Sequence, residues 1–398
     1  MTIRLREEQR ELRALAREFA RGEIRPHAPA WDAARELDPD IFTKLGELGF
    51  LGMLIPEDLG GLDLDLVSYL LILEELAWGD PAVALGVAIH SGPVTFLLRH
   101  VGTREQQERY LPSLATGERL GAYALSEAGA GSDARSVGTV SRRSGEGWIL
   151  DGRKKWVTNG DRGGLTLVFA RNGEAGAGEE KAMNLFAVDQ ETPGYEVGKR
   201  ETTMGFAASR TVEIGLEGVR VEPEGLLGEA GAAFGHAMAS LEIGRLSVGA
   251  VSLGIARAAM EHARGYAGER VQFGRPLAQF QANRFKLGEM AFKITAARSL
   301  LWTAAQALED PSGVEGGDDV DPEAPSAGAL AAMAKLAASE AALWIADEAV
   351  QIFGGYGYMK DYPVEKLLRD AKGTEILEGT SEIMRLVVAR DVLGTRDA

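Results

Sequence analysis

Glu378 stands in the segment GTEILEGTSEIMRL, Gly373 to Leu386, behind Ile376 and Leu377 and ahead of Gly379-Thr380-Ser381. A carboxylate on an apolar ledge, at a turn between two helices, can act as a general base, because desolvation raises its affinity for a proton. A helix starting at Ser381 opposes that shift through its dipole. Gly379 leaves room for a ligand near the backbone. The same residues read equally as a helix-turn glutamate near an N-cap with no chemical duty.

Four other clusters have side chains suited to binding. YALSEAGAGSDA, Tyr123 to Ala134, formally satisfies GxGxxG/A through Gly129, Gly131 and Ala134. A dinucleotide fingerprint needs a helix to follow, and here a hairpin pattern follows, so taken alone this is a Gly-rich connection at a sheet edge. KKWVTNG, Lys155 to Gly160, predicts Trp156 and Thr158 on one face of a strand and Val157 on the other, walling either a core or an aromatic ligand. ERVQFGRPLAQFQ, Glu269 to Gln281, sets Arg270 and Arg275 at a helix break, where they fit either a helix C-terminus or an anion clamp. QIFGGYGY carries Gly354 and Gly355, suited to a helix C-cap or to close approach by a ligand.

These clusters need elements to hold them. Residues 5 to 115 carry helical spacing: Leu5, Leu12, Leu15 and Phe19 in an opening amphipathic helix, then DLVSYLLILEELAWG, closed by Gly79-Asp80-Pro81, then a helix from Pro81 to His100. From about 120 to 235 glycine becomes frequent and the period falls to two. Asp151-Gly152 reads as a hairpin turn within GWILDGRKKWVTNG, with LTLVFA, NLFAV and TVEIGLEGVRV as further strands. Beyond 236 three long helical segments return, which suits a four-helix-type bundle. The acidic stretch over 310–327 reads as a solvated loop. The expected fold is mainly α with an inserted antiparallel β domain: 1–119 helical, 120–235 sheet, 236–398 helical bundle. Segregated elements of this kind are α+β rather than βαβ.

Composition removes whole classes. The net charge of −16 argues against a nucleic-acid face. With no cysteine, thiol catalysis, disulfides and Cys-ligated zinc are out. The five histidines are scattered and none has metal-ligand spacing, so no metal is expected. No uninterrupted apolar run reaches about 18 residues, and the N-terminus lacks a signal-peptide core. The expectation is a cytoplasmic protein with no membrane association.

Taken together and in order, YALSEAGAGSD, WVTNG, ERVQFGRPL, QIFGGYGY, YPVEKLLRDAK and EGTSEIMRLVVAR resemble the acyl-CoA dehydrogenase family of flavoenzymes, over nearly the whole chain. The resemblance implies an α-helical domain, a β domain and a C-terminal α bundle, FAD as cofactor, and a homotetramer built as a dimer of dimers. It also implies electron-transfer flavoprotein as electron acceptor and a place in fatty acid β-oxidation. Glu378 falls where many members carry the base that takes the α-proton of an acyl-CoA thioester while a β-hydride passes to flavin N5, giving a trans-2-enoyl-CoA. By the same match, Tyr123, Leu125, Ser126, Trp156, Thr158, Thr380 and Glu382 contact the flavin cofactor. Arg270, Phe273 and Gln281 grip the pyrophosphate and adenine of a neighbouring subunit's FAD, and Gln351 and Gly355 take the FAD-binding positions of the glycine turn. Ser132, Ser209, Glu242, Arg245 and Gly379 face the acyl-CoA substrate.

Some members carry their base on another helix, in a stretch like Leu-x-x-Glu-Arg. Here that stretch is Leu241-Glu242-Ile243-Gly244-Arg245, with glycine at the base position. Glu242 lies two residues earlier, about 200° around the helix, so Glu378 is expected to act alone. Ala207 and Ala128 depart from residues common in the family, and the 310–327 loop is longer than expected. The alternatives are a relative with other chemistry, such as an acyl-CoA oxidase or a nitroalkane oxidase (in which aspartate is the expected base), or a flavin-binding member without dehydrogenase activity.

Overall fold

The computed structural model describes residues 4–174, 176, 182–310 and 324–394. Seven helices come first: α1 Glu7–Phe19, α2 Ala28–Ala34, α3 Ile41–Glu47, α4 Leu66–Gly79, α5 Pro81–Ile89, α6 Thr95–Val101 and α7 Arg104–Ala115. Local chemistry sets their ends. The Asp65 side chain accepts from the Ser68 amide at 3.0 Å and starts α4. Asp80 ends α4 and caps α5, accepting from the Ala82 amide at 2.7 Å, with Pro81 at the first helical position. The helix expected from Pro81 to His100 is interrupted by a π-helical turn, His90–Val94, which contains Pro93.

Eight strands follow: β1 Gly121–Ala124, β2 Val140–Ser144, β3 Gly147–Thr158, β4 Leu165–Asn172, β5 Met183–Asp189, β6 Tyr195–Arg200, β7 Thr211–Val221 and β8 Leu226–Leu227. They form one sheet in the order β6-β7-β3-β2-β4-β5-β8, with β1 beside β4. Most pairs are antiparallel, but β1–β4 and β2–β4 run parallel.

Two local expectations fail here. Asp151-Gly152 is not a turn: β3 runs straight through it, and the β2–β3 hairpin turns instead at Gly145-Glu146. The period-two signal misled because β3 is bulged against β7 near Gly152 and again between Lys154 and Val157. The second bulge also breaks the alternation at the tryptophan. Trp156 takes φ +58° and is 54% exposed, while Val157 and Thr158 are both buried. Trp156 and Thr158 therefore do not share a face.

The C-terminal part has α8 Ala233–Glu269, a small arm of β9 Val271–Gln272 and β10 Arg275–Pro276, α9 Gln281–Glu309, α10 Ala327–Phe353, α11 Val364–Thr374 and α12 Ser381–Leu393. Helices α8, α9 and α10 pack on one another, and α12 lies on α10. The expected acidic loop falls largely outside the described residues. Helix α8 is the spine of the molecule, packing α4 from the first helical layer as well as α9 and α10. A buried ionic cluster fixes this register. Arg257 of α8 reaches Glu74 of α4 at 2.6 Å, and Arg298 of α9 reaches the same carboxylate at 2.7 Å. Three stretches, Pro81–Val101, Ala233–Glu269 and Ala327–Tyr358, are long and apolar enough to cross a membrane, although polar residues interrupt each of them. Most of each is buried against the rest of the protein.

Candidate active site

The Glu378 turn is set by its flanking helices. After α11, the Ile376 and Leu377 amides both bond to the Gly373 carbonyl at 3.0 Å, and the Ser381 amide bonds to the Glu375 carbonyl at 3.0 Å. Thr380 caps α12, accepting from the Ile383 amide at 3.3 Å. Between these anchors Glu378 takes φ +54° and Gly379 φ +99°. A left-handed conformation in a non-glycine residue costs free energy and persists only where the surroundings impose it.

The turn aims the carboxylate at α8. A Cβ placed on Gly244 would lie 2.8 Å from Glu378 Cδ and nearer still to Oε2, so glycine is what makes room for the carboxylate. Glu378 Oε2 is buried and has no hydrogen-bond partner among the described residues. Burial pushes the Glu378 carboxyl up to about 7, while Arg245 and then Lys335 pull the other way. The apolar ledge is one-sided: Ile376 is 57% exposed, and only Leu377 packs on the core. The desolvation therefore comes from the body of the protein rather than from Ile376.

One face of α8 lines this site. Ser240, Gly244 and Ser247 recur at helical spacing. The Tyr123 hydroxyl lies 3.3 Å from Ser240 Oγ, and the Tyr69 hydroxyl lies 2.8 Å from Ser247 Oγ. Gly92 closes on that second pair, since a Cβ there would stand 3.0 Å from Ser247 Oγ and 3.2 Å from the Tyr69 hydroxyl. Arg245 is buried, with Nε unpartnered among the described residues. Lys335 of α10 is fully buried and donates to the Gly379 carbonyl at 2.7 Å. Sequence reading passed over Tyr69, Ser240, Ser247 and Lys335. The Ser-x3-Gly-x2-Ser stripe on α8 was the one available signal.

The Gly-rich loop is fastened to the sheet from below. Buried Lys154 donates to Glu127 Oε1 at 2.7 Å and to the Leu125 carbonyl at 2.9 Å, and Glu127 also accepts from the Gly138 and Thr139 amides. The Lys155 amide bonds to the Ser126 carbonyl at 2.9 Å, which brings Ser126 beside Trp156. Thr158 is buried against Thr211. The sheet reaches the base through the 204–209 loop, where the Phe206 amide donates to Asp370 of α11 at 2.5 Å. Ser209 is buried in that loop, whereas Ser132 and Glu382 are exposed.

Glu378, Gly379, Thr380, Arg245 and Tyr123 thus gather around one point. Glu242 faces Arg245, and its carboxylate also lies against Gly328 near the start of α10. Arg270, Phe273, Gln281, Gln351 and Gly355 lie elsewhere. Arg270 follows the last residue of α8, 26 residues after Gly244, or about 39 Å along the helix. There, Arg270, Tyr266, Gly354, Gly355 and Tyr356 border a cavity of about 490 Å³. On the neighbouring arm Phe273 stands out 95% exposed at φ +50°, and Gln281 at the start of α9 and Gln351 near the end of α10 are exposed as well.

A half-buried carboxylate of raised basicity, with one oxygen buried and unpartnered among the described residues and a glycine opposite it, can remove a proton from carbon. The exposed Trp156 offers a platform for a flat ring, and the Arg270 cavity presents a guanidinium and aromatic rings, chemistry suited to a phosphate and a flat base.

Family models place an acyl-CoA dehydrogenase N-terminal domain over residues 6–118, a middle domain over 122–219 and a C-terminal domain over 232–393. The chain is 41% identical over 388 residues to an acyl-CoA dehydrogenase of Bacillus subtilis (strain 168), covering 98% of each chain. It superposes on butyryl-CoA dehydrogenase from Megasphaera elsdenii with TM-score 0.92 at 36% identity, covering 99% of this chain and 100% of the other. A chain from the electron transferring flavoprotein study of Acidaminococcus fermentans gives TM-score 0.92 at 38% identity, covering 100% of both. The chain belongs to the acyl-CoA dehydrogenase family. It is an oxidoreductase with FAD as its cofactor, as in the FAD complex of the Bacillus anthracis acyl-CoA dehydrogenase, which is 33% identical with TM-score 0.89 over 98% of this chain and 67% of that one.

Proposed function

We propose that the chain is an acyl-CoA dehydrogenase that converts a short acyl-CoA thioester to its trans-2-enoyl-CoA, with Glu378 as the sole base. The observation that carries this reading is the unpartnered Oε2 of Glu378 above Gly244. In its ionised form Glu378 takes the α-proton. Gly379, at φ +99°, lets the thioester lie against the backbone, where the Glu378 amide can bind its oxygen as negative charge develops. FAD, when bound, supplies the two-electron acceptor for the β-hydride. Tyr123, Leu125, Ser126, Trp156, Thr158, Thr380 and Glu382 would hold its ring end, and Arg245, Ser132 and Ser209 would face the thioester and its carrier. Glu242, about 200° around α8 from Gly244, leaves the base role to Glu378.

The short chain follows from the Tyr69–Ser247 pair closed by Gly92. With Gly92 packed against it, the pair fills the space one helical turn beyond Gly244 and leaves less room there for a long alkyl tail. The butyryl-CoA neighbour supports the same reading. Electron-transfer flavoprotein is the proposed acceptor, in keeping with the Acidaminococcus neighbour. Burial of the three apolar helices is compatible with a soluble enzyme.

Anaerobic mixing of the FAD-loaded protein with acyl-CoAs of graded length tests this. The flavin should bleach fastest with short acyl chains and stay reduced until an acceptor is added. Immediate reoxidation in air would indicate an oxidase instead. No bleaching with any acyl-CoA would remove the dehydrogenase reading.

Arg270, Phe273, Gln281, Gln351 and Gly355 are proposed to serve a neighbouring subunit's FAD, since about 39 Å of α8 separates Arg270 from Gly244. A homotetramer would also cover the exposed Phe285 and Phe292 of α9 and Val392 and Leu393 of α12. Replacing Arg270 with Ala should then lower both FAD retention and subunit association. Full flavin content after extended dialysis, with an unchanged sedimentation coefficient, would show that Arg270 does neither.

A further inference from the structure

Lys335 is fully buried near the middle of α10, among Ala331, Ala334 and Ala338. An ammonium taken out of water is costly, and an apolar side chain would fill this site more cheaply. Its Nζ donates to the Gly379 carbonyl at 2.7 Å, on the residue that directly follows Glu378. Glu378 at φ +54° and Gly379 at φ +99° are two successive left-handed residues. A strained turn of this kind keeps its shape only if something holds it.

We propose that Lys335 is a positioning residue for the base: its ammonium clamps the Gly379 carbonyl, fixes the left-handed turn that aims Glu378 at Gly244, and sets a positive charge beside the Glu378 carboxylate. The inference rests on the reading of Glu378 as the base and extends it to a side chain that makes no contact with substrate.

The charges around the pair set the sign of the effect. Glu378 feels Arg245 from α8 and Lys335 from α10, both favouring its ionised form, and it also faces the hydroxyls of Tyr69 from α4 and Tyr123 from β1. Lys335 in turn faces Glu378, Glu375, Arg245 and Glu382. Burial pulls the Lys335 ammonium down to about 8, and the carboxylates, Glu378 foremost, resist that. Near pH 7, at the midpoint of the Glu378 titration, Lys335 is therefore mostly protonated. Removing its charge leaves Arg245 as the cation acting on Glu378 and must raise the pH at which the base ionises.

Two variants separate the clamp from the charge. Lys335→Met removes both at similar length. Lys335→Gln keeps an N–H donor and loses the charge. In stopped-flow flavin reduction by acyl-CoA, both variants should shift the acid limb of the pH profile upward by about one unit. The Met variant should also lose about tenfold at the high-pH plateau, with the Gln variant recovering part of that loss. An independent readout needs no turnover. The infrared carboxyl band that disappears in Glu378→Gln reports protonation of Glu378 directly, and its titration should move upward in both Lys335 variants. If that band and the acid limb stay at their wild-type pH in both, Lys335 is an ordinary core residue and the proposal is wrong. Should the wild type fail to reduce its flavin with any acyl-CoA, the dehydrogenase reading fails, and the infrared titration still decides the role of Lys335.

Discussion

Glu378→Gln is expected to all but abolish flavin reduction by acyl-CoA, lowering its rate by about 10⁴-fold, while the protein keeps its FAD. The substitution preserves size and removes the basic atom. In the wild type the rate should rise with pH through about 7, because burial holds the carboxyl protonated below that point and only the ionised form can accept the α-proton. The variant should show no such limb. A stability effect of opposite sense comes with it. Glu378 ionises near 7 in the folded chain against an ordinary value of 4.5. Between those values the folded state binds more protons than the unfolded state, so the wild type loses stability as pH rises from about 4.5 to 7 and does not regain it above. A neutral glutamine escapes that loss, and Glu378→Gln should melt higher than the wild type at about pH 8. Flavin bleaching at the wild-type rate would overturn the assignment of the base. An unchanged melting temperature at that pH would contradict a carboxylate whose ionised form is disfavoured by burial despite Arg245 and Lys335.

Adding Gly244→Glu to Glu378→Gln should restore proton abstraction in part. A Cβ at Gly244 would point directly at the end of the Glu378 side chain, so a carboxylate grown from α8 enters the same small volume from the opposite wall. The crowding involves the flexible tip of a side chain rather than backbone, and the glutamine introduced in place of Glu378 can turn aside. The relocated base would lack the support that Lys335 gives the native turn, so recovery to about a hundredfold below wild type is expected. Gly244→Glu alone, in a chain that keeps Glu378, should be nearly inactive by contrast. Two carboxylates forced together share one proton and push each other's titration apart. Stopped-flow reduction across roughly pH 6 to 9, where such a pair would titrate, measures all three variants. No recovery in a folded, FAD-loaded double variant would mean that the two positions do not converge on one substrate carbon.

The order of helices, strands and long helices was legible in the sequence, because hydrophobic period and capping are properties of neighbours along the chain. Asp65, Asp80 and Thr380 mark helix starts that hydrogen bonding within three residues enforces. The sequence also singled out Glu378, through a carboxylate between apolar residues and a glycine, although the family resemblance was needed to prefer the base over a helix-turn glutamate. Where a local pattern met a long-range constraint, the pattern failed. The bulges that carry β3 past Gly152 and turn Trp156 outward arise from pairing with β7, about 60 residues away. The setting of the base was likewise decided by tertiary structure. Dipole and desolvation oppose each other at Glu378, and their balance depends on α8 and α10 closing over it, from chain positions far from the turn. Lys335 gave no sign of its role for the same reason. In an alanine-rich helix a lone lysine reads as a solvated residue, and only the packing of α10 under the Glu378 turn takes it out of water and gives its ammonium a carbonyl to hold.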